Sequence, residues 1–273
     1  MAAKLTEGGK ATHAPSVACG DSSPAVAFAT LGEQLKPAPM NILITGASRG
    51  IGAAAFALLK RHGHDVIGHS TRGSDRLIAG DLSDPAAPRA VWDTALDELD
   101  GRIDVLVNNA GIYEGVADNA PDDEWHSAWH RTLTINLQAA ADLSRLAVSH
   151  FLDRGGGGRI VNVISRASYR GDSPQHWHYA ASKAALAGVI KTIARGYAAD
   201  GILCFGVAPG FTVSEMTEEY LAGRGGAKIV ADIPLGRVSS TDEVAEAIRW
   251  LATEAPAAST GSVIDVNGAS YVR

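Results

Sequence analysis

The chain has 273 residues, 46% of them hydrophobic and 20% charged, with a net charge of −6. That composition is enough to bury a sizeable core and excludes a disordered polymer. The negative balance gives no long-range attraction to nucleic acid or to an anionic membrane, and no run of eighteen apolar residues is present to span one.

Residues 1–39 are rich in Ala, Pro, Gly and Ser, lack a sustained period and end at Pro37-Ala38-Pro39. They read as a disordered extension, without the apolar stretch and cleavage site of a signal peptide. From Met40 onward the chain becomes periodic. Ile42-Leu43-Ile44 predicts a strand that runs into a glycine-rich turn, and residues 53–60 predict a helix closed by Gly63. Further strands are predicted at Val66-Ile67, Leu77-Ile78 and residues 103–108, 160–165, 202–207 and 263–266. Helices are predicted near 85–99, 122–151, 179–199 and 241–253, the second opening on Asp122-Asp123-Glu124, whose carboxylates suit the helix dipole. Short, branched, apolar strands alternating with helices imply an α/β architecture: one doubly wound Rossmann-type domain over residues 40–273. Its parallel sheet has about seven strands, with helices on both faces.

Two patterns carry chemistry. Thr45 to Gly52 reads TGASRGIG, with Gly46, Gly50 and Gly52 clearing side chains from a strand-to-helix turn that Ser48, Arg49 and Ile51 complete. The helix that follows turns its amides and positive dipole end toward a phosphate, so this turn predicts a dinucleotide site. The second pattern is Tyr179 and Lys183, four apart and therefore on one helix face. Reducing a ketone needs a proton for the forming alkoxide; a tyrosine can donate it, and a nearby lysine cation lowers the phenol's pKa for the reverse step.

Other signals carry less. His126 and His130 have helical spacing for a metal, but Ser127 stands where a metalloprotease needs Glu, and no third ligand is evident. His176 and His178 are assigned to the pocket or its rim, and Gly155 through Gly158 to a flexible connection. Cys19 and Cys204 form no metal spacing or disulfide framework, which suits a reducing cytoplasm.

The TGxxxGxG spacing resembles the short-chain dehydrogenase/reductase family, and other motifs of that family recur downstream in order, from about residue 40 to the C-terminus. The resemblance implies that Asp81-Leu82 contacts adenine and that Asn108-Asn109-Ala110-Gly111 borders its ribose. It makes Asn136, Ser165, Tyr179 and Lys183 the catalytic residues: Ser165 binds the carbonyl (with Ser168 as a rival), Lys183 also holds the nicotinamide ribose, and Asn136 anchors a relay water. Pro209-Gly210, with Thr212 and Ser214, then lies beside the nicotinamide. The second strand ends His69-Ser70-Thr71-Arg72 without a carboxylate, so Ser70, Arg72 and Arg49 favour the 2′-phosphate of NADP(H), with NAD(H) as the alternative.

The segment from Phe211 to Asp232, with Met216, Tyr220 and Leu221, matches the family's mobile lid over a small-molecule carbonyl or alcohol substrate. Ile233-Pro234-Leu235-Gly236-Arg237 and Val266-Asn267-Gly268 resemble β-ketoacyl-carrier-protein reductases, which act on 3-oxoacyl thioesters. Secondary-alcohol, sugar and steroid dehydrogenation remain alternatives, as does a non-catalytic NADP(H)-binding scaffold. The family also implies a cytoplasmic homo-oligomer, tetramer or dimer, paired through helices 122–151 and 179–199, where Leu133, Leu137, Leu143 and Leu146 serve an interface or the core.

Overall fold

Alternation of side chains along a strand sends neighbouring residues to opposite faces of a sheet, and the first strand shows it. In the computed structural model, which describes residues 38–213 and 226–273, β1 (Asn41–Ile44) sends Leu43 into one core cluster and Ile42 and Ile44 into the other. The remaining strands are β2 (Asp65–Ser70), β3 (Leu77–Ala79), β4 (Val105–Asn108), β5 (Gly158–Val163), β6 (Ile202–Pro209) and β7 (Val263–Val266). They form one parallel sheet in the order β3-β2-β1-β4-β5-β6-β7. The expected doubly wound α/β architecture is therefore present.

The helices are α1 (Gly50–Arg61), α2 (Ala87–Glu98), α3 (Asp122–Leu133), α4 (Ala139–Asp153), α5 (Ala167–Arg170), α6 (Trp177–Tyr197), α7 (Gly226–Ala231) and α8 (Thr241–Thr253). On one face α2, α4 and α6 bury Trp92, Phe151, Leu186 and Ile190 against Leu106 and Ile160. On the other, α1 and α8 bury Leu58, Leu59, Ile248 and Leu251 against Val105, Val107 and Phe205. From β1 the chain winds outward first to β2 and β3, then to β4 and beyond on the opposite side. This reversal opens a crevice past the carboxyl ends of β1 and β4, the usual ligand position in open α/β sheets.

Three local features refine the expectations. The predicted helix over 122–151 contains a π-helical turn, Thr134–Gln138, between α3 and α4, a distortion frequent at functional sites. Parallel neighbours usually need a crossover of about a dozen residues or more, yet β2 and β3 are joined by residues 71–76 alone. This works because β3 pairs only with the end of β2, Gly68 with Leu77 and Ser70 with Ala79. Finally, residues 155–157 form a fixed turn rather than a merely flexible connection: Gly156 has φ +92°, and a Cβ there would lie 2.4 Å from the Asp200 carbonyl oxygen. Of the expected N-terminal extension, residues 1–37 lie outside the described residues.

Candidate active site

The turn after β1 and the loop after β4 are tied by two side-chain groups that make four hydrogen bonds. Thr45 Oγ1 accepts the N–H groups of Asn109 (3.1 Å) and Ala110 (3.0 Å), and Asn109 Nδ2 donates to the carbonyls of Thr45 (2.9 Å) and Gly46 (3.0 Å). Gly46 adopts φ +67°, and α1 then starts at Gly50. Arg49 contributes no side-chain cap, and the first turn of α1 carries no acidic residue. Its leading amides thus lack the usual side-chain acceptor and sit in the wall of the crevice. A pyrophosphate fits such a site, because helix N-terminal amides bind anions.

The crevice is a cleft of about 430 Å³, within the range of small-molecule sites. Gly46, Ser48, Arg49, Gly50, Ile51 and Gly52 line its phosphate end, and Ser70 reaches it from β2. Asp81, Leu82, Asn109, Ala110 and Gly111 line its middle. The N–H of Ser83 donates to Asp81 at 2.9 Å and holds that carboxyl below its usual range. Ser165, Tyr179, Lys183, Pro209, Gly210 and Thr212 close the far end.

Two of the predicted residues among those described, Arg72 and Asn136, are not in this wall. Arg72 is exposed on the short β2–β3 link, outside the lining, so Arg49 is the nearer of the two arginines. Ser214 lies outside the described residues, as do Met216, Tyr220 and Leu221. Asn136, 1% exposed in the π turn, stands behind the cleft. Its Oδ1 accepts the Ile112 N–H at 2.8 Å, while its Nδ2 donates to the Ile112 carbonyl (3.0 Å) and to Ser182 Oγ (3.3 Å).

At the reacting end, Lys183 is 4% exposed and its Nζ donates to the Val163 carbonyl at 2.9 Å. Burial pulls its pKa down to about 8. A Cβ built on Gly111 would lie 3.2 Å from Asn136 Oδ1 and 3.3 Å from Lys183 Nζ, so the two polar groups converge beside that glycine. Tyr179 is half-buried, with its ring edge-on to Tyr113 at 4.7 Å. Burial pushes its phenol up to about 12; a hydrogen bond with Ser165 opposes that shift, and the Asp172 charge adds to it. Desolvation is the largest cause of this shift, and the Lys183 ammonium stands 6.0 Å from the ring centroid. Ser165 Oγ accepts the Ala167 N–H at 3.1 Å. Ser168 Oγ accepts the Ser165 N–H at 3.4 Å, and Ser168 does not line the cleft.

The cleft wall also contains Ile112, Tyr113, Arg131, Ile135, Arg166 and Asp172, to which the sequence assigned no role, together with His69 and Thr71 from the end of β2 and Phe211 from the expected lid segment. His69 is buried at the end of β2, where its Nδ1 accepts the Gly46 N–H (3.4 Å) and its Nε2 donates to the Gly80 carbonyl (2.9 Å). Burial lowers its pKa and keeps the imidazole neutral for this bridge. A histidine ring following the apolar Val66-Ile67 run of β2 was the available signal. His176 stacks on Tyr113 at 3.9 Å and His178 Nε2 donates to the Glu114 carbonyl (3.0 Å); neither is in the cleft wall.

Comparison with known proteins agrees with this geometry. A family model described as enoyl-(acyl carrier protein) reductase matches residues 46–269. The 3-oxoacyl-acyl-carrier-protein reductase FabG of Salmonella typhimurium is 36% identical over 243 residues, which cover 84% of this chain and 96% of that protein. A short-chain dehydrogenase from Burkholderia cenocepacia in complex with NADP superposes with a TM-score of 0.75 at 29% identity, over 85% of this chain and 97% of the other. The aldohexose dehydrogenase of Thermoplasma acidophilum gives a TM-score of 0.76 at 28% identity, over 86% and 95%. With the ordered motifs gathered in one cleft, these matches show that the chain belongs to the short-chain dehydrogenase/reductase family.

Proposed function

We propose that this chain is an NADP(H)-dependent oxidoreductase that interconverts a ketone and a secondary alcohol. The observation that carries the reading is the convergence of Ser165, Tyr179 and Lys183 at one end of a cleft whose other end is the uncapped N-terminus of α1. Residues of the glycine turn would hold the pyrophosphate, Arg49 and Ser70 the 2′-phosphate, Asp81 and Leu82 the adenine, and Asn109 to Gly111 its ribose. Pro209, Gly210 and Thr212 would border the nicotinamide, and Lys183 its ribose. The bound nicotinamide supplies or accepts the hydride.

Tyr179, kept protonated by burial, donates a proton to the forming alkoxide and recovers it when the alcohol is oxidised. Ser165 orients the carbonyl oxygen with its hydroxyl hydrogen. Lys183 contributes positive charge to the same end. Asn136 is a positioning residue here, since its amide holds the Ile112 backbone through both donor and acceptor. The identity with FabG supports a 3-oxoacyl thioester as substrate, and the likeness to an aldohexose dehydrogenase supports a sugar. The reading includes a cytoplasmic homotetramer or dimer, which light scattering checks for oligomeric state.

Loss of NADPH absorbance over a panel of carbonyl compounds tests the activity. Binding of NADPH without turnover of any of them would mark a scaffold instead. We expect a higher kcat/KM with NADPH than with NADH, and Arg49→Ala should lower the NADPH value about tenfold, the equivalent of one charge-assisted hydrogen bond. Equal losses with both cofactors would remove Arg49 from phosphate recognition. Because Lys183 loses its proton near pH 8, kcat/KM for reduction should fall as pH rises through that value, while Tyr179 stays protonated. A profile flat to pH 10 would contradict this role for the lysine charge.

A further inference from the structure

Arg166 follows Ser165 directly and lines the same cleft. Its guanidinium stacks on the Phe211 ring at 4.8 Å, and among the described residues its buried Nη1 has no hydrogen-bond partner. The carboxylates whose charge it feels are Asp172 and Asp232, and both are engaged elsewhere. Asp232 pairs with Arg170 at 2.9 Å, and Asp172 Oδ1 accepts Tyr113 Oη–H at 3.0 Å and the Ser173 N–H at 2.7 Å. No ion pair within 4.0 Å forms to Arg166 among the described residues.

A buried N–H without an acceptor is unfavourable, and Arg166 is half-buried with Asp172 and Asp232 acting on it from beyond ion-pair distance. Burial already pulls the Arg166 pKa down. A guanidinium stacked on an aromatic face keeps its edge free for an oxygen pair, the geometry that matches a carboxylate through two parallel hydrogen bonds. Resting on the carbonyl–alcohol reading above, we propose that Arg166 binds a carboxylate of the substrate, so that the molecule reduced or oxidised here is a small oxo acid or sugar acid. In a 3-oxoacyl thioester the corresponding acyl carbon carries sulfur and no negative oxygen, so this cation would gain nothing from it. The position of Arg166 next to Ser165 also puts the anion and the reacting carbonyl in one small molecule rather than at opposite ends of a long carrier.

Calorimetric titration of the NADP⁺-loaded protein tests the inference through binding, because the ketone group of each probe does not react with the oxidised cofactor and any oxidation of a sugar hydroxyl is registered as NADPH absorbance. The probes are acetoacetate and 5-keto-D-gluconate, each against a neutral counterpart, methyl acetoacetate and fructose. At least one acid should bind ten times or more tighter than its neutral partner, about what one charge-assisted pair provides. Arg166→Met should erase that ratio, and Arg166→Lys should keep part of it. A merely structural arginine would weaken acid and neutral probes together and leave the ratio intact. Acids that bind no better than their neutral partners, or a ratio that survives in Arg166→Met, would overturn the proposal. NADPH oxidation by the same compounds tests the carbonyl-reductase reading separately: turnover without an acid preference removes Arg166 and spares the reading, whereas Arg166-dependent binding without turnover does the reverse.

Discussion

Replacing Tyr179 with Phe should lower kcat for carbonyl reduction by about a hundredfold to ten-thousandfold, the contribution of a positioned general acid. Phe keeps the ring that meets Tyr113 edge-on at 4.7 Å and removes only the hydroxyl that hydrogen-bonds with Ser165. The fold and the phosphate end of the cleft should therefore be unaffected, with NADPH Kd changing by less than about threefold. Steady-state kinetics beside fluorescence titration of NADPH separates the two quantities. Turnover near that of the parent protein would reject Tyr179 as the proton donor. Loss of both quantities together would mean that the phenol supports the architecture instead.

Gly52→Ala should damage the opposite end. A Cβ on Gly52 would lie 2.0 Å from the Gly46 carbonyl oxygen and 2.5 Å from Asn109 Nδ2. The first obstacle is backbone, so it cannot swing aside as a side-chain tip would. Overpacking of this kind costs about 1–3 kcal/mol, and relief requires the turn to deform where it meets the phosphate. NADPH Kd should rise about tenfold or more, with a lower Tm. Gly196→Ala in α6 is the control, since nothing lies within 4 Å of its Cβ position; there alanine should be neutral or slightly stabilising. A Gly52→Ala protein that binds NADPH as the parent does would remove this turn from the cofactor site.

Much of the architecture could be read from local pattern. A short branched run such as Ile42-Leu43-Ile44 can bury both faces only inside a covered sheet, so its strand was legible without any partner. TGASRGIG was legible because a strand-to-helix turn around a phosphate restricts side chains at particular positions. The Tyr179–Lys183 pair followed from helical period. Ordered motifs then brought residues far apart in the chain to one expected site, and the cleft contains most of them.

Properties that sum over neighbours distant in sequence were not legible. Periodicity predicts one helix over 122–151, but the wide turn Thr134–Gln138 exists where Asn136 must bond both polar groups of Ile112. Arg49 and Arg72 look equivalent in sequence, yet Arg49 is in the lining while Arg72, exposed on the β2–β3 link, is outside it. The direction of the Tyr179 shift depended on total burial rather than on spacing to Lys183. Arg166 appears as one more surface-type arginine until Phe211, Asp172 and Asp232 surround it and each carboxylate is found bonded to another group. The amino-acid sequence by itself determined the sheet, the phosphate turn and the kind of reaction, because these depend on residue type at short range. The upward shift of the Tyr179 phenol and the Arg166 Nη1 left without a hydrogen-bond partner were decided by tertiary structure, because desolvation and hydrogen bonding depend on everything that folds around a group.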